Sequence, residues 1–227
     1  MIIVPVKQNT PEWLAARAGI PTASCFEKII SPKTLKLSDG ADKYMHRLIA
    51  ERLLGYPLES ATSDFMARGH ALEDQAVAYY ELQHGVDTEP VGFVLTDDRR
   101  AGCSPDRLVG EDGMLQIKSP GPEAHVGHML GGISDKHRIQ VQGEMWVCGR
   151  QWSDWMSMHP DLEPALVRVP RDEDFIAALA KAVLAFCDRL EEAHARLAAP
   201  TRPVEIAGAT SGHEGPSCPN DGGFTCS

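Results

Sequence analysis

The stretch from Cys103 to Pro120 constrains this chain more than any other. Cys103-Ser104-Pro105-Asp106 is followed by Arg107-Leu108-Val109, by Gly110-Glu111-Asp112-Gly113, and then by Met114-Leu115-Gln116-Ile117-Lys118-Ser119-Pro120. Gly-Glu-Asp-Gly has the composition of a hairpin turn, and the run after it alternates like a strand. Side chains two apart in a strand share a face. Gln116 and Lys118 are therefore expected to point together, while Leu115 and Ile117 point into a core. With Asp106 beside that face, a carboxylate, an amide and an ammonium surround one small volume. A glutamate at 116 would complete the Asp…Glu-x-Lys set of a hard-metal site; this chain has Gln116. Such spacing alone arises often by chance, so the Ser-Pro-Asp lead-in and the turn carry the weight.

Around this stretch the sequence alternates helical and strand patterns. Thr10-Pro11-Glu12-Trp13-Leu14 opens a helix with Thr as cap and Pro in the first turn, and it stops at Gly19 with Arg17 in its last turn. Pro21-Thr22-Ala23-Ser24 opens a second helix with Phe26, Ile29 and Ile30 on its apolar side. Its first-turn N–H groups and hydroxyls, near Arg17, read either as an anion seat or as ordinary capping beside a solvated arginine. Further helices are expected over about 39–54, 63–84, 123–130, 135–147 and 171–198, with strands over 91–95, 101–104, 106–109, 114–118, 151–158 and 165–169. Gly69 inside a helix costs about 1 kcal/mol relative to alanine, which suggests a close approach there. Glu73 on the same helix reads as a second carboxylate for a metal or as a surface acid. Gln140 and Glu144, four apart, share a helix face. The element order predicts an α/β fold with a mixed central sheet flanked by helices.

The chain has 227 residues, suited to one compact domain, and 43% of them are apolar, enough for a real core. The domain is expected over 1–202, with a loose Gly-, Pro- and Ser-rich tail over 203–227. No apolar run approaches the roughly 18 residues of a membrane span, and the N-terminus lacks a signal-peptide layout, so a cytoplasmic protein without membrane contact is expected. Cys25, Cys103, Cys148 and Cys187 sit in apolar contexts typical of buried thiols. The spacing of Cys187, Cys218 and Cys226 does not suit an iron–sulfur cluster. Cys/His nucleophilic catalysis draws no support beyond what 6 Cys and 9 His supply by chance. Trp146, Trp152 and Trp155 read as core or interface rather than a base-stacking platform. The net charge of −10 argues against a nucleic-acid coat, although only the local field at a groove steers a polyanion.

Chemically, phosphodiester hydrolysis suits the central site. Mg²⁺, with Mn²⁺ as a substitute, takes oxygen ligands and keeps several waters, so one or two protein carboxylates suffice. Asp106 is the expected anchor, with Glu73 and the Ile117 carbonyl completing the set. Lys118 is placed to orient or deprotonate water, or to steady developing negative charge.

Several segments in order strengthen this reading: Trp13-Leu14-Ala15-Ala16-Arg17 with Thr22-Ala23-Ser24, Arg68-Gly69-x-x-x-Glu73, Cys103-Ser104-Pro105-Asp106, Leu115-Gln116-Ile117-Lys118-Ser119-Pro120, and Gln140-Val141-Gln142-x-x-Met145-Trp146-Val147. Together they resemble the viral-recombinase nucleases of the bacteriophage lambda exonuclease family, within the PD-(D/E)XK superfamily, over about residues 8–196. The resemblance implies a restriction-endonuclease-like fold and Mg²⁺-dependent digestion of one strand of linear duplex DNA from 5′ to 3′. It also implies a ring-shaped homotrimer that encloses DNA and works beside a single-strand annealing protein in the bacterial host. By the same resemblance Asp106 and position 116 hold metal, Lys118 is catalytic, and Glu73 with Gln140 or Gln142 supports the site. Arg17, Ser24 and Ser104 would grip the 5′-terminal phosphate.

Two departures from the family pattern matter. Gln116 keeps the shape of glutamate and loses its charge, so weaker metal binding and water activation are expected. An engineered variant that holds DNA uncut is the leading account, and a natural glutamine is the alternative. The family's basic phosphate contact falls near Ala124, where His125 is the substitute on offer. A DNA-end-binding protein that has lost catalysis is the rival reading.

Overall fold

The computed structural model describes residues 1–32, 34, 36–58 and 64–198, with only the backbone described for 64–71. The tail expected at 203–227, Cys218 and Cys226 lie outside the described residues.

The site's geometry begins with a hairpin. Strand β5 (Arg107–Val109) turns through Gly110, which adopts φ 55°, into β6 (Gly113–Lys118). The pairing is antiparallel with Arg107 across from Leu115, Leu108 from Met114 and Val109 from Gly113. Continued one step outward, that register sets Asp106 across from Gln116. Residues opposite one another in an antiparallel pair project to the same face. The ten-residue spacing of the two is therefore the length of one tight hairpin.

This hairpin belongs to a five-stranded sheet in the order β2 (Thr88–Glu89), β5, β6, β7 (Trp152–His159), β8 (Leu162–Pro170). Only β6 and β7 run parallel; the other neighbours are antiparallel. A parallel pair needs a crossover, and α4 (Pro122–Gly131) with α5 (Asp135–Cys148) supplies it. A smaller sheet joins β1 (Ile2–Val4), β3 (Phe93–Leu95) and β4 (Gly102–Cys103). Asp106 stands where the chain leaves the small sheet and enters the large one.

The remaining helices are α1 (Pro11–Arg17), a 3₁₀ helix over Ala23–Lys28, α2 (Ala41–Leu54), α3 (Asp64–His84) and α6 (Glu173–Ala198). The mixed sheet flanked by helices matches the expected fold class. The second helix is a correction: it runs only six residues, closed by bonds such as Cys25 N–H to Thr22 O at 2.8 Å, and Thr22 makes no side-chain cap. Arg68 and Gly69 fall within α3, whose backbone passes through them as helix.

The two faces of β6 go to different partners. Leu115 and Ile117 pack with Ala76, Val77 and Tyr80 of α3 and with Met156. Met114, on the other face, joins Ile139 and Met145 of α5 in the main core. Gln116 and Lys118 thus face the α5 side. Helix α6 closes that core with Ile176, Leu179, Val183, Phe186 and Leu190, an apolar stripe at three- and four-residue spacing. Phe186 stacks on Tyr44 of α2 at 5.9 Å.

Candidate active site

Asp106 is the hub. Its Oδ2 accepts from the Ile117 N–H at 2.6 Å and from the Gln116 Nε2 at 2.5 Å. Both donors go to one oxygen. Burial pushes the Asp106 carboxyl up to about 7, with Lys118 opposing the shift and Glu73 adding to it. Gln116 is 3% exposed, and its Oε1 has no hydrogen-bond partner among the described residues.

Glu73 approaches from α3. Its pKa is raised chiefly by burial, opposed by Arg107 and Lys118 and reinforced by Asp74. The expected second carboxylate is therefore within electrostatic reach of the Asp106–Lys118 pair. A groove of about 860 Å³ opens beside it, lined in part by Lys7, Asn9, Glu73 and Arg107. Gln8 supports this wall, donating to Val91 O at 2.7 Å and to Pro105 O at 2.8 Å.

Helix α5 contributes a polar stripe, His137–Gln140–Glu144, on one face at helical spacing. Gln140 Nε2 donates to Glu144 Oε1 at 2.8 Å. Glu144 is 1% exposed, and its Oε2 is unpartnered among the described residues. Burial pushes its carboxyl up to about 8; the Gln140 bond and Lys118 oppose this, and Asp106 adds to it. Sequence reasoning paired Glu144 with Gln140 on one helix face without assigning it to the site. An acid set directly before the apolar run Met145-Trp146-Val147 was the available signal.

The second centre lies at Ser104. Its Oγ receives Trp13 Nε1 at 2.9 Å and Arg17 Nη1 at 3.3 Å. The Arg17 guanidinium stacks 4.1 Å over the Trp13 ring, which fixes its plane. Arg17, Trp13 and Ser104 are thus brought together. Ser24 is exposed at the start of the 3₁₀ helix, with its hydroxyl 3.3 Å from that of Thr22. Arg17 and Thr22 line one small cavity, and Ser24 is not among its lining residues.

Two expected contacts are placed elsewhere. Gln142 turns away from Asp106, donating to Pro170 O at 2.8 Å and accepting from the Asp172 N–H at 3.1 Å. It ties the end of β8 to the start of α6. His125 is fully buried, and its ring nitrogens bond Ser157 Oγ at 2.8 Å and Glu163 O at 3.0 Å. With both nitrogens engaged in the interior, it does not replace the family's basic phosphate contact.

The donor set suits a hard cation. Asp106 offers an oxygen, Gln116 offers an unpartnered amide oxygen, and Ile117 lies between Gln116 and Lys118 on the same strand. Carboxylates raised by burial and by one another are what a bound cation relieves. Among the described residues no three His, Cys, Asp or Glu side chains close on a single point. That fits an ion that keeps several of its own waters.

Comparison with known proteins agrees with this geometry. No curated protein matches the chain. An alkaline exonuclease from Laribacter hongkongensis, LHK-Exo, is similar at 32% identity over 83% of this chain and 96% of that one, with a TM-score of 0.75. The same enzyme in complex with dAMP matches at 34% identity, with the same coverage and TM-score. A phage-related exonuclease from Haemophilus somnus 129PT shares the fold at 15% identity and a TM-score of 0.61, over 78% of this chain and 96% of that one. The model of the YqaJ-like viral recombinase domain matches residues 12–151, which span the Trp13–Arg17 segment, the Asp106–Lys118 hairpin and all of α5. The chain belongs to the YqaJ-like viral recombinase family.

Proposed function

We propose that this chain is a Mg²⁺-dependent exonuclease, with Mn²⁺ as a substitute, that digests one strand of linear duplex DNA from a 5′-phosphorylated end toward 3′. The observation that carries the reading is the face shared by Asp106, Gln116 and Lys118, set by the register of one hairpin. The similarity to an alkaline exonuclease also solved with dAMP supports it. So does the resemblance to ring-forming nucleases, from which we take a homotrimer enclosing the duplex and a single-strand annealing protein as partner. No helix among the described residues is long and apolar enough to cross a membrane.

Asp106, the Gln116 amide oxygen, the Ile117 carbonyl and Glu73 would hold the metal. When bound, it polarises the scissile phosphate and lowers the pKa of a water. Lys118 shares the face of Gln116, where its ammonium orients the attacking water and offsets charge growing on the phosphate. Arg17 and Ser104 receive the 5′-terminal phosphate; the stacked guanidinium is pre-set for a charge-assisted contact. Gln140 holds Glu144 in place beside them. The neutral Gln116 makes this a weakened form of the enzyme, and it favours, as a second reading, a protein that binds duplex ends without cutting.

The test is digestion of linear duplex carrying a 5′-phosphate on one strand, in Mg²⁺. The phosphorylated strand is expected to shorten from its 5′ end, faster in Gln116→Glu and not at all in Asp106→Asn. Arg17→Ala should erase the preference for phosphate over hydroxyl ends. End binding without digestion, by both this chain and Gln116→Glu, would overturn the nuclease and leave the end-binding protein.

A further inference from the structure

We infer that Glu144 on α5 supplies, through metal-bound water, the negative charge that position 116 lacks. This rests on the metal-nuclease reading above and deepens it. Three observations carry it.

First, the two residues serve the same volume. Gln116 projects from β6 toward the α5 side, and Glu144 shares its helix face with His137, whose ring lies 5.2 Å from Trp155, the β7 neighbour of Gln116. Glu144 lies within electrostatic reach of Asp106, Lys118, Arg17 and Cys103, the residues surrounding the hub.

Second, the polar atoms there are unpaired in one sense only. Gln116 Oε1 and Glu144 Oε2 are buried acceptors with no donor, on side chains 3% and 1% exposed. Buried acceptors without donors are costly, and native interiors avoid them unless something fills the gap. Here one such atom sits on Gln116, which bonds Asp106, and the other on Glu144, which interacts electrostatically with it. With both carboxyls ionised, a hard cation with its water shell is the ligand class that these open oxygens select.

Third, Glu144 is held rather than merely enclosed. The Gln140 amide fixes Oε1 at 2.8 Å and leaves Oε2 as its free acceptor. An acid serving only to fill space would gain from donating its own proton to a neighbour, and no acceptor is paired with Oε2. Since no three carboxylate, imidazole or thiol groups among the described residues meet at a point, Glu144 acts through metal-bound water. It is a positioning residue for the metal's shell.

The experiment exchanges the charge between the two addresses and measures metal binding without DNA. Mn²⁺ affinity, read from the loss of the free-ion electron paramagnetic resonance signal, is compared for this chain, Glu144→Gln, Gln116→Glu and the double variant Gln116→Glu/Glu144→Gln. Thermal midpoints in chelator check that each variant is folded. Glu144→Gln is expected to weaken binding about 10-fold or more, the range for losing an outer-shell partner. The double variant should return to within about 3-fold of the starting chain, which a merely structural role for Glu144 would not give. Affinity within about 2-fold of the starting chain in Glu144→Gln, or no recovery in the double variant, overturns the inference. Binding by Gln116→Glu but not by the starting chain also overturns it, while leaving the nuclease reading intact. Absence of binding in every variant removes both.

Discussion

Gly143 offers a sharp test of how tightly α5 is set, because it lies between Gln140 and Glu144 on the helix that carries both. A Cβ added there would meet Phe26 Cδ2 at 2.7 Å, Phe26 Cε2 at 2.9 Å and Ala23 Cβ at 3.4 Å. Unstrained carbons sit about 3.5–4.0 Å apart, so the ring or the helix must yield by most of an ångström. The ring has little room to yield: Phe26 is fully buried and tilts against Trp146 at 6.1 Å. Overpacking of this kind costs about 1–3 kcal/mol, while Gly→Ala within a helix returns up to about 1 kcal/mol. Gly143→Ala should therefore lose roughly 1–2 kcal/mol in urea denaturation. Because the strain is relieved by displacing α5, metal affinity should fall beyond what the lost stability explains. Phe26→Leu added to Gly143→Ala should recover part of both. A Gly143→Ala chain more stable than the parent by about 1 kcal/mol would show slack between α5 and the 3₁₀ helix, and would refute the reasoning.

Two further outcomes follow from other contacts. Tyr80 of α3 donates to Asp154 Oδ2 at 2.7 Å, and Arg168 holds both oxygens of this 1% exposed carboxylate at 2.8 Å. Tyr80→Phe should cost roughly 1.5–3 kcal/mol, as for a hydrogen bond to a charged group, and loosen the helix that carries Glu73; a loss under about 0.5 kcal/mol in chemical denaturation would count against that anchoring role. His137 has its pKa pushed from 6.5 down to about 4 by burial, with Lys118, His128 and Lys136 adding to the shift. Its lowered value means that the unfolded chain takes the proton first, so stability is full above about pH 6.5 and is lost as pH falls through about 4. The gap corresponds to about 3 kcal/mol for a dry site and roughly 1–2 for this half-buried ring. His137→Gln should flatten the acid limb of a stability–pH curve by that amount, and an unchanged limb would assign the acid loss to other groups.

Much of this was legible in the sequence because the signals were local. The hairpin is written in its turn residues and alternation, and its register then fixes Asp106 opposite Gln116 with no long-range information. Helices α5 and α6 follow from the periodicity of their apolar residues, to which the structure adds the Ser134 cap of α5 through the His137 N–H. What the sequence did not disclose depends on which surfaces meet. The turn after Pro21 carries the apolar spacing of a helix yet closes as a short 3₁₀ segment packed against α5. His125 has the chemistry of a phosphate contact, and its burial against Ser157 and Glu163 is set by β7 and β8, distant in sequence. Gln142 shares the Gln-x-Gln segment with Gln140, but two residues along a helix turn a side chain by about 200°, so only one of the pair can face Asp106.

The same distinction bears on position 116. A motif at fixed spacing treats Gln116 as a lost carboxylate because it tracks positions along one strand. A metal responds to the charge within a volume, and Coulomb attraction in a water-poor site depends on separation, whichever backbone segment presents the oxygen. Asp106 lies beside β6, and the buried Glu144 carboxylate of α5 is within its electrostatic reach. Removing a charge from the strand then costs metal affinity only to the extent that the helix does not restore it. Asp106 and Lys118 beside a neutral 116 still serve a cation if Glu144 makes up the difference. Metal affinity of the charge-exchanged double variant tests this, because it alters the address of the charge and leaves the sum unchanged.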